Sequence, residues 1–125
     1  MKLLIASFSL VVFLSACGTA IERRASVTAP AYVIAEIEVT DAVGYQAYLA
    51  AISPVVERFG GTYLVRAGKT LQVEGAEPHG RVVVIAFPSF ATAKAFEEAP
   101  EALAAGDIRH RTATSRIFVI EGYAP

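Results

Sequence analysis

Arg81-Val82-Val83-Val84-Ile85-Ala86-Phe87-Pro88-Ser89 is the stretch that decides the fold. Arg81 to Phe87, rich in β-branched side chains, reads as a strand, and Pro88-Ser89 ends it with a hydroxyl suited to capping a helix. Successive side chains on a strand point to opposite faces, so a strand with one wet face alternates apolar and polar residues. Val82 to Phe87 shows no such alternation, and neither does Ile117-Phe118-Val119-Ile120. Two strands greasy on both sides require cover for both faces of their sheet. Helices of the same chain cover one face. A second copy, sheet against sheet about a two-fold axis, covers the other, which makes a homodimer. The competing reading places these two strands at the centre of a sheet whose second face is merely apolar.

Outward from this strand the chain punctuates itself. Tyr32 to Val39 reads as a strand, with Ala35, Ile37 and Val39 on one face and Glu36 and Glu38 on the other. Asp41 is placed to cap a helix, in which Tyr45, Tyr48, Leu49, Ile52, Val56 and Phe59 recur at helical spacing. Pro54 is expected to kink that helix and Gly60-Gly61 to close it. Thr62 to Arg66 is a second strand, and Gly68 and Gly75 mark a turn-rich connection to Arg81–Phe87. Ser89 caps a further helix with Phe90, Ala93 and Phe96 on its inner face. Pro100 restarts the chain, Glu101 to Arg111 reads as helical, and Arg116 to Gly122 is the last strand. The order is βαββαβ. This predicts an α+β, ferredoxin-like fold, a four-stranded antiparallel sheet with helices on one face.

Composition bounds what such a domain can do. The chain has 125 residues, with 11 Lys plus Arg against 12 Asp plus Glu, a net charge of −1. No field of either sign is strong enough to recruit nucleic acid. A single cysteine excludes an internal disulfide, and with only two histidines a structural zinc site is not expected.

The N-terminus reads as an address. After Met1-Lys2, the twelve residues Leu3 to Leu14 carry no charge. That is short of the roughly 20 apolar residues that span a bilayer core, and it fits the apolar part of a secretory signal. The run ends in Leu14-Ser15-Ala16-Cys17-Gly18, which resembles the lipobox of bacterial lipoproteins, with the chain's one cysteine at the required place. The resemblance implies removal of residues 1–16, a membrane anchor on lipidated Cys17, and sorting to the periplasmic face of the outer membrane. The alternative is a soluble secreted or periplasmic protein cut after Ala16 or Ala20. Residues 17–31 show no period and read as the tether, with the folded domain at 32–123.

Taken in order, Asp41-x-x-x-Tyr45-x-x-Tyr48, Pro54, Gly60-Gly61, Arg66-x-Gly68, Glu74-Gly75, Phe87-Pro88-Ser89, Ile108-Arg109 and Ser115-Arg116 … Glu121-Gly122 resemble the bacterial family known as domain of unknown function 1330. The resemblance runs from Tyr32 to Tyr123 and implies a dimeric α+β barrel, two ferredoxin-like subunits joined by their sheets. It implies no established activity. The chain departs from the family pattern twice. Ala86 stands where an acid usually precedes Phe-Pro-Ser, and Phe96-Glu97-Glu98-Ala99-Pro100-Glu101-Ala102 ends in alanine where the family has tyrosine. If the family uses those groups for proton chemistry, this member is expected to bind without turnover.

Few side chains suit chemistry. Arg66, at the end of a strand, offers a planar fork to a carboxylate or phosphate; a salt bridge to Glu36, Glu74 or Glu121 is the alternative. Arg109 matches the family arginine, which implies a second anion contact, against a solvated helix face. Glu121 follows a greasy strand, where burial would raise its pKa toward base chemistry; pairing with an arginine is the plainer role. Tyr48 is a candidate ligand contact at core spacing. His79 lies in a loop and His110 between two arginines. There is no Gly-x-Ser-x-Gly elbow, no phosphate-cradling glycine loop and no metal-spaced histidine pair, so the sequence assigns no cofactor, no metal and no catalytic residue. Two functions remain. One is a tethered, non-catalytic dimer that binds a small, anionic molecule or an envelope partner. The other is a cofactor-free oxygenase or isomerase acting on a small acidic or phenolic compound, an expectation from fold analogy alone.

Overall fold

Residues 27–125 are described in a computed structural model, and Cys17 with its lipobox-like run lies outside them. The elements are β1 (Ala31–Val39), α1 (Ala42–Arg58), β2 (Thr62–Arg66), β3 (Arg81–Phe87), α2 (Phe90–Glu98), α3 (Pro100–Thr112) and β4 (Ala113–Glu121). The sheet runs β2-β3-β1-β4 with every neighbour antiparallel. This is the ferredoxin-like arrangement, with α2 and α3 together in the place of the second helix.

Local chemistry explains the boundaries. Asp41 Oδ1 accepts from the Gly44 amide at 3.0 Å, and Ser89 Oγ accepts from the Thr92 amide at 3.1 Å, so both expected caps form. Ala99 is extended (φ −64°, ψ 136°) and Pro100 takes the first position of α3, where a missing amide costs nothing. At the other end of α3, the Thr112 carbonyl accepts from the amides of Thr40 and Asp41 at 2.9 and 3.0 Å, which locks α3 to the β1–α1 turn. Three expectations shift. β1 begins at Ala31, a residue earlier than expected; Ala31 is fully buried, and the Pro30 carbonyl accepts from the Gly122 amide at 2.7 Å. β4 begins at Ala113, upstream of Arg116, because α3 hands over directly to the strand. α3 runs from Pro100 to Thr112, a residue longer at each end than expected, while α1 holds Pro54 within Ala42–Arg58.

The core sits between the sheet and the helices. Phe87 and Val56 are its most enclosed large side chains, and the Phe96 ring packs on Phe87 at 4.9 Å between centroids. Gly61 lets β2 leave α1 at close quarters, since a Cβ there would fall 2.7 Å from Val56 Cγ1 and 2.8 Å from Phe87 Cε1.

Register fixes what each face carries. Ala31, Val33, Ala35 and Ile37 of β1 face the helices, all 5% exposed or less. Their partners are Phe87, Ile85, Val83 and Arg81 on β3. On the opposite face lie Tyr32 and Ile34 of β1, Val82, Val84 and Ala86 of β3, and Phe118 and Ile120 of β4. The expected lack of a polar face is therefore present on β3 and reaches an edge strand, β4, while β1 carries Glu36 on this side. Phe118 is 38% and Ile120 49% exposed in the single chain. β2 adds one irregularity. Tyr63 pairs with Ile85 and Arg66 with Val83, with a register shift between Tyr63 and Val65. Residues three apart would ordinarily point to opposite faces; the shift turns both toward the helices.

Candidate functional site

A cavity of about 740 Å³ opens between the helix-facing side of the sheet and the three helices. Its floor is apolar, with Val33, Ala35 and Ile37 of β1, Val83 and Ile85 of β3, and Ile117 of β4. The polar groups at its wall are three tyrosines, Tyr45, Tyr48 and Tyr63, three arginines, Arg66, Arg81 and Arg109, and Glu97, Asp107 and His110.

The arginines and tyrosines are matched. The Arg81 guanidinium lies 5.5 Å from the Tyr45 ring centroid, Arg109 5.3 Å from Tyr48, and Arg66 4.5 Å from Tyr63. A cation on an aromatic face gains about 0.5–2 kcal/mol, more where water is excluded. Arg109 is held further. Its Nη1 donates to Tyr48 Oη at 3.3 Å and its Nε to Ser115 Oγ at 3.2 Å. Because Tyr48 Oη accepts from Arg109, the phenolic hydrogen is left to donate to a guest.

Among the described residues, none of these three arginines has a carboxylate within 4 Å. The ion pairs fall elsewhere, Arg58–Glu101 at 2.9 Å, Lys94–Glu98 at 3.7 Å and Arg116–Glu36 at 3.6 Å. Arg66 therefore does not make the salt bridge to Glu36, Glu74 or Glu121 that was its alternative; Glu36 is taken by Arg116. Burial pushes the Glu97 carboxyl above its ordinary value of 4.5, with the charge of Arg109 opposing. Burial likewise raises the Tyr48 phenol, against the pull of Arg109. The cavity wall thus carries three arginines without close carboxylate partners and two acids, Glu97 and Asp107.

Of the residues singled out in the sequence, Arg66, Arg109 and Tyr48 line this one cavity. Glu121 does not. It ends β4 opposite Ala31 and is exposed, so the burial expected to tune it is absent. His79 is exposed in the β2–β3 loop, whereas His110 reaches the cavity wall. Sequence reasoning missed Arg81, Glu97 and Asp107 as site residues. Arg81 had a readable signal, since it shares strand parity with Val83, Ile85 and Phe87. Glu97 had none, because its neighbour Phe96 is the one on the helix's apolar stripe. The two departures from the family pattern separate in space. Ala86 lies on the face away from the cavity, and Ala102 lines the cavity. No cluster of three metal-ligating side chains occurs among the described residues.

The position of Glu97 gives a stability test. A carboxyl whose folded pKa is raised favours folding most when protonated. That contribution is complete below 4.5 and is lost as pH rises through the folded-state value. Glu97→Gln, which carries no charge to bury, is expected to melt a few degrees above the parent at neutral pH. The gap should close on acidification toward pH 4.5. Melting curves in that range check it; a gap independent of pH would show that Glu97 is solvated.

The family model for "Domain of unknown function (DUF1330)" matches residues 30–123. No curated protein matches the chain. Among solved structures, the RPA0582 protein of unknown function from Rhodopseudomonas palustris is similar with a TM-score of 0.62 and 22% identity, over 78% of this chain and 85% of that one. SnoaB, a cofactor-independent oxygenase from Streptomyces nogalater, is similar with a TM-score of 0.56 and 13% identity, over 78% of this chain and 97% of that one. At such identities these likenesses speak to fold. The family match extends from the residue before β1 to two residues beyond β4, and the chain belongs to the DUF1330 family, ferredoxin-like in fold.

Proposed function

We propose that the domain binds a small, largely apolar acid in the cavity between sheet and helices. One observation carries this reading. Three arginines without carboxylate partners among the described residues, each resting on a tyrosine, face an apolar cavity of about 740 Å³. Exposed or half-buried cations at the wall of an apolar cavity suit an anion that brings its own apolar body. Thermal-shift measurements with aromatic carboxylates test it. A ligand at 100 times its Kd stabilises by about 2.7 kcal/mol, roughly 10–20 °C for a domain of this size. Arg109→Gln should remove most of that shift. Aromatic carboxylates that leave the melting temperature unmoved would refute the reading.

A cofactor-free enzyme is the second reading, and Glu97 is the observation that favours it. A carboxyl tuned upward by burial, close enough to Arg109 to feel its charge, can take a proton from a bound phenol or carbon acid. SnoaB supports this only by sharing the fold. Consumption of dissolved oxygen, or isomerisation of the bound acid, would favour this reading over simple binding.

The working unit in this proposal is a two-fold dimer joined through the outer sheet face. Val82, Val84, Ala86, Phe118 and Ile120 lie there on adjoining parts of one sheet, and each apolar side chain buried gains about 1.5–3 kcal/mol. Light scattering on residues 27–125 at micromolar concentration should give the mass of two chains, and Phe118→Lys should give one. A folded parent of single-chain mass would show the face to be open.

A lipid on Cys17 completes the proposal by holding the domain at the bacterial envelope, facing the periplasm. Its support is the run Leu14-Ser15-Ala16-Cys17 behind an uncharged stretch. Cys17→Ala should move the protein from the membrane to the soluble fraction or leave the precursor uncut; a parent already soluble and cleaved contradicts the anchor.

A further inference from the structure

Arg81 and Ser115 both pair with Ile37, one on each side of β1. Neighbouring strands lie about 4.8 Å apart, so the backbones at Arg81 and Ser115 are separated by roughly 10 Å. Arg109 is anchored at the β4 side of this row by its bond to Ser115 Oγ. Arg81 stands at the β3 side, and the register shift in β2 turns Arg66 toward the same side. Tyr45 and Tyr48 bridge the interval. Their ring centroids are 5.2 Å apart, Arg81 sits over Tyr45, and Arg109 sits over Tyr48. The cavity therefore has a cation at each end and two aromatic rings in between, above a floor of aliphatic side chains.

A guest with one acidic group satisfies only one end of such a site. The opposite guanidinium then keeps only its tyrosine ring and gains nothing from the guest. Glu97 of α2 feels the charge of Arg109, but neither it nor Asp107 of α3 lies within 4 Å of a cavity arginine, so no close ion pair occupies either end. We infer that the ligand is a dianion, two carboxylates held apart by a flat, unsaturated or aromatic segment. One carboxylate lies between Arg81 and Arg66. The other meets Arg109 and the Tyr48 hydroxyl, and the flat segment rests along Tyr45 and Tyr48. Arg–carboxylate pairing is planar and two-pronged, which suits acids fixed at the ends of a rigid spacer.

This inference rests on the small-acid reading and is separable from it by experiment. Terephthalate and monomethyl terephthalate have the same rigid core and differ by one charge. Calorimetric titration of the full chain in detergent should show terephthalate binding at least tenfold more tightly than its monoester. Arg81→Gln and Arg109→Gln should each reduce terephthalate to the affinity of the monoester, with Arg81→Lys retaining part of the difference. Equal affinities of the two compounds for the parent protein would overturn the two-ended site and leave the small-acid reading standing. That comparison needs no variant to fold. Binding by neither compound, nor by the bent isophthalate or the shorter fumarate, would overturn both.

Discussion

The pleat of β1 is the constraint on which the rest of the structure depends. β1 pairs with β3 on one side and β4 on the other, so its two faces set the parity of the three longest strands. On the helix side it presents Ala31, Val33, Ala35 and Ile37; on the other, Tyr32, Ile34 and Glu36. A slip of one residue would put Glu36 into the core and Val33 into the outer face, exchanging every assignment made above. The same parity places Arg81 and Ser115 beside Ile37 at the helix-facing end. The cavity and the greasy outer face are two consequences of a single register.

Charge in the cavity is held in an unusual balance. Elsewhere two arginines pair with acids, Arg58 with Glu101 and Arg116 with Glu36, and Arg58 holds the Glu101 carboxyl down to about 2. Those pairs are exposed at the arginine and contribute little to stability. The three cavity arginines use tyrosine rings instead. A ring orients a guanidinium without neutralising it, so the charge remains available to a guest. An acid in the same position would have bound the arginine more firmly and closed the site to anions. Burial raises the Glu97 carboxyl while the charge of Arg109 pulls it down, so the nearby acid on α2 does not form a close ion pair with that arginine.

The fold was legible because its signals are local or periodic. Asp41 and Ser89 cap where short polar side chains before apolar runs should, and the unbroken apolar run at Val82–Phe87 forms a strand that is apolar on both faces. The site was legible only in part. Arg66, Tyr48 and Arg109 were visible one by one, but their meeting depends on the sheet order and on the shift in β2. Nothing in Thr62 to Arg66 announces that shift, and without it Arg66 would face away from Tyr63. Glu121 failed for a related reason. A greasy strand predicts burial along its length, yet Glu121 is the last residue of β4 and lies beyond the helices that cover the strand.

Pleat parity also sorts the two family departures by consequence. An acid at position 86 would sit on the outer face, opposite Tyr32 and Thr62, and would interrupt the apolar surface there. Alanine removes that interruption, so the change acts on what covers the sheet and leaves the cavity chemistry alone. Position 102 is different. A tyrosine there would project from α3 into the space that Ala102 now borders, reducing the volume and adding a fourth hydroxyl. Ala102 leaves that space open. Together with three arginines that no close carboxylate among the described residues neutralises, that room is what the proposed acid would fill, its shape and charge supplying what the lining lacks.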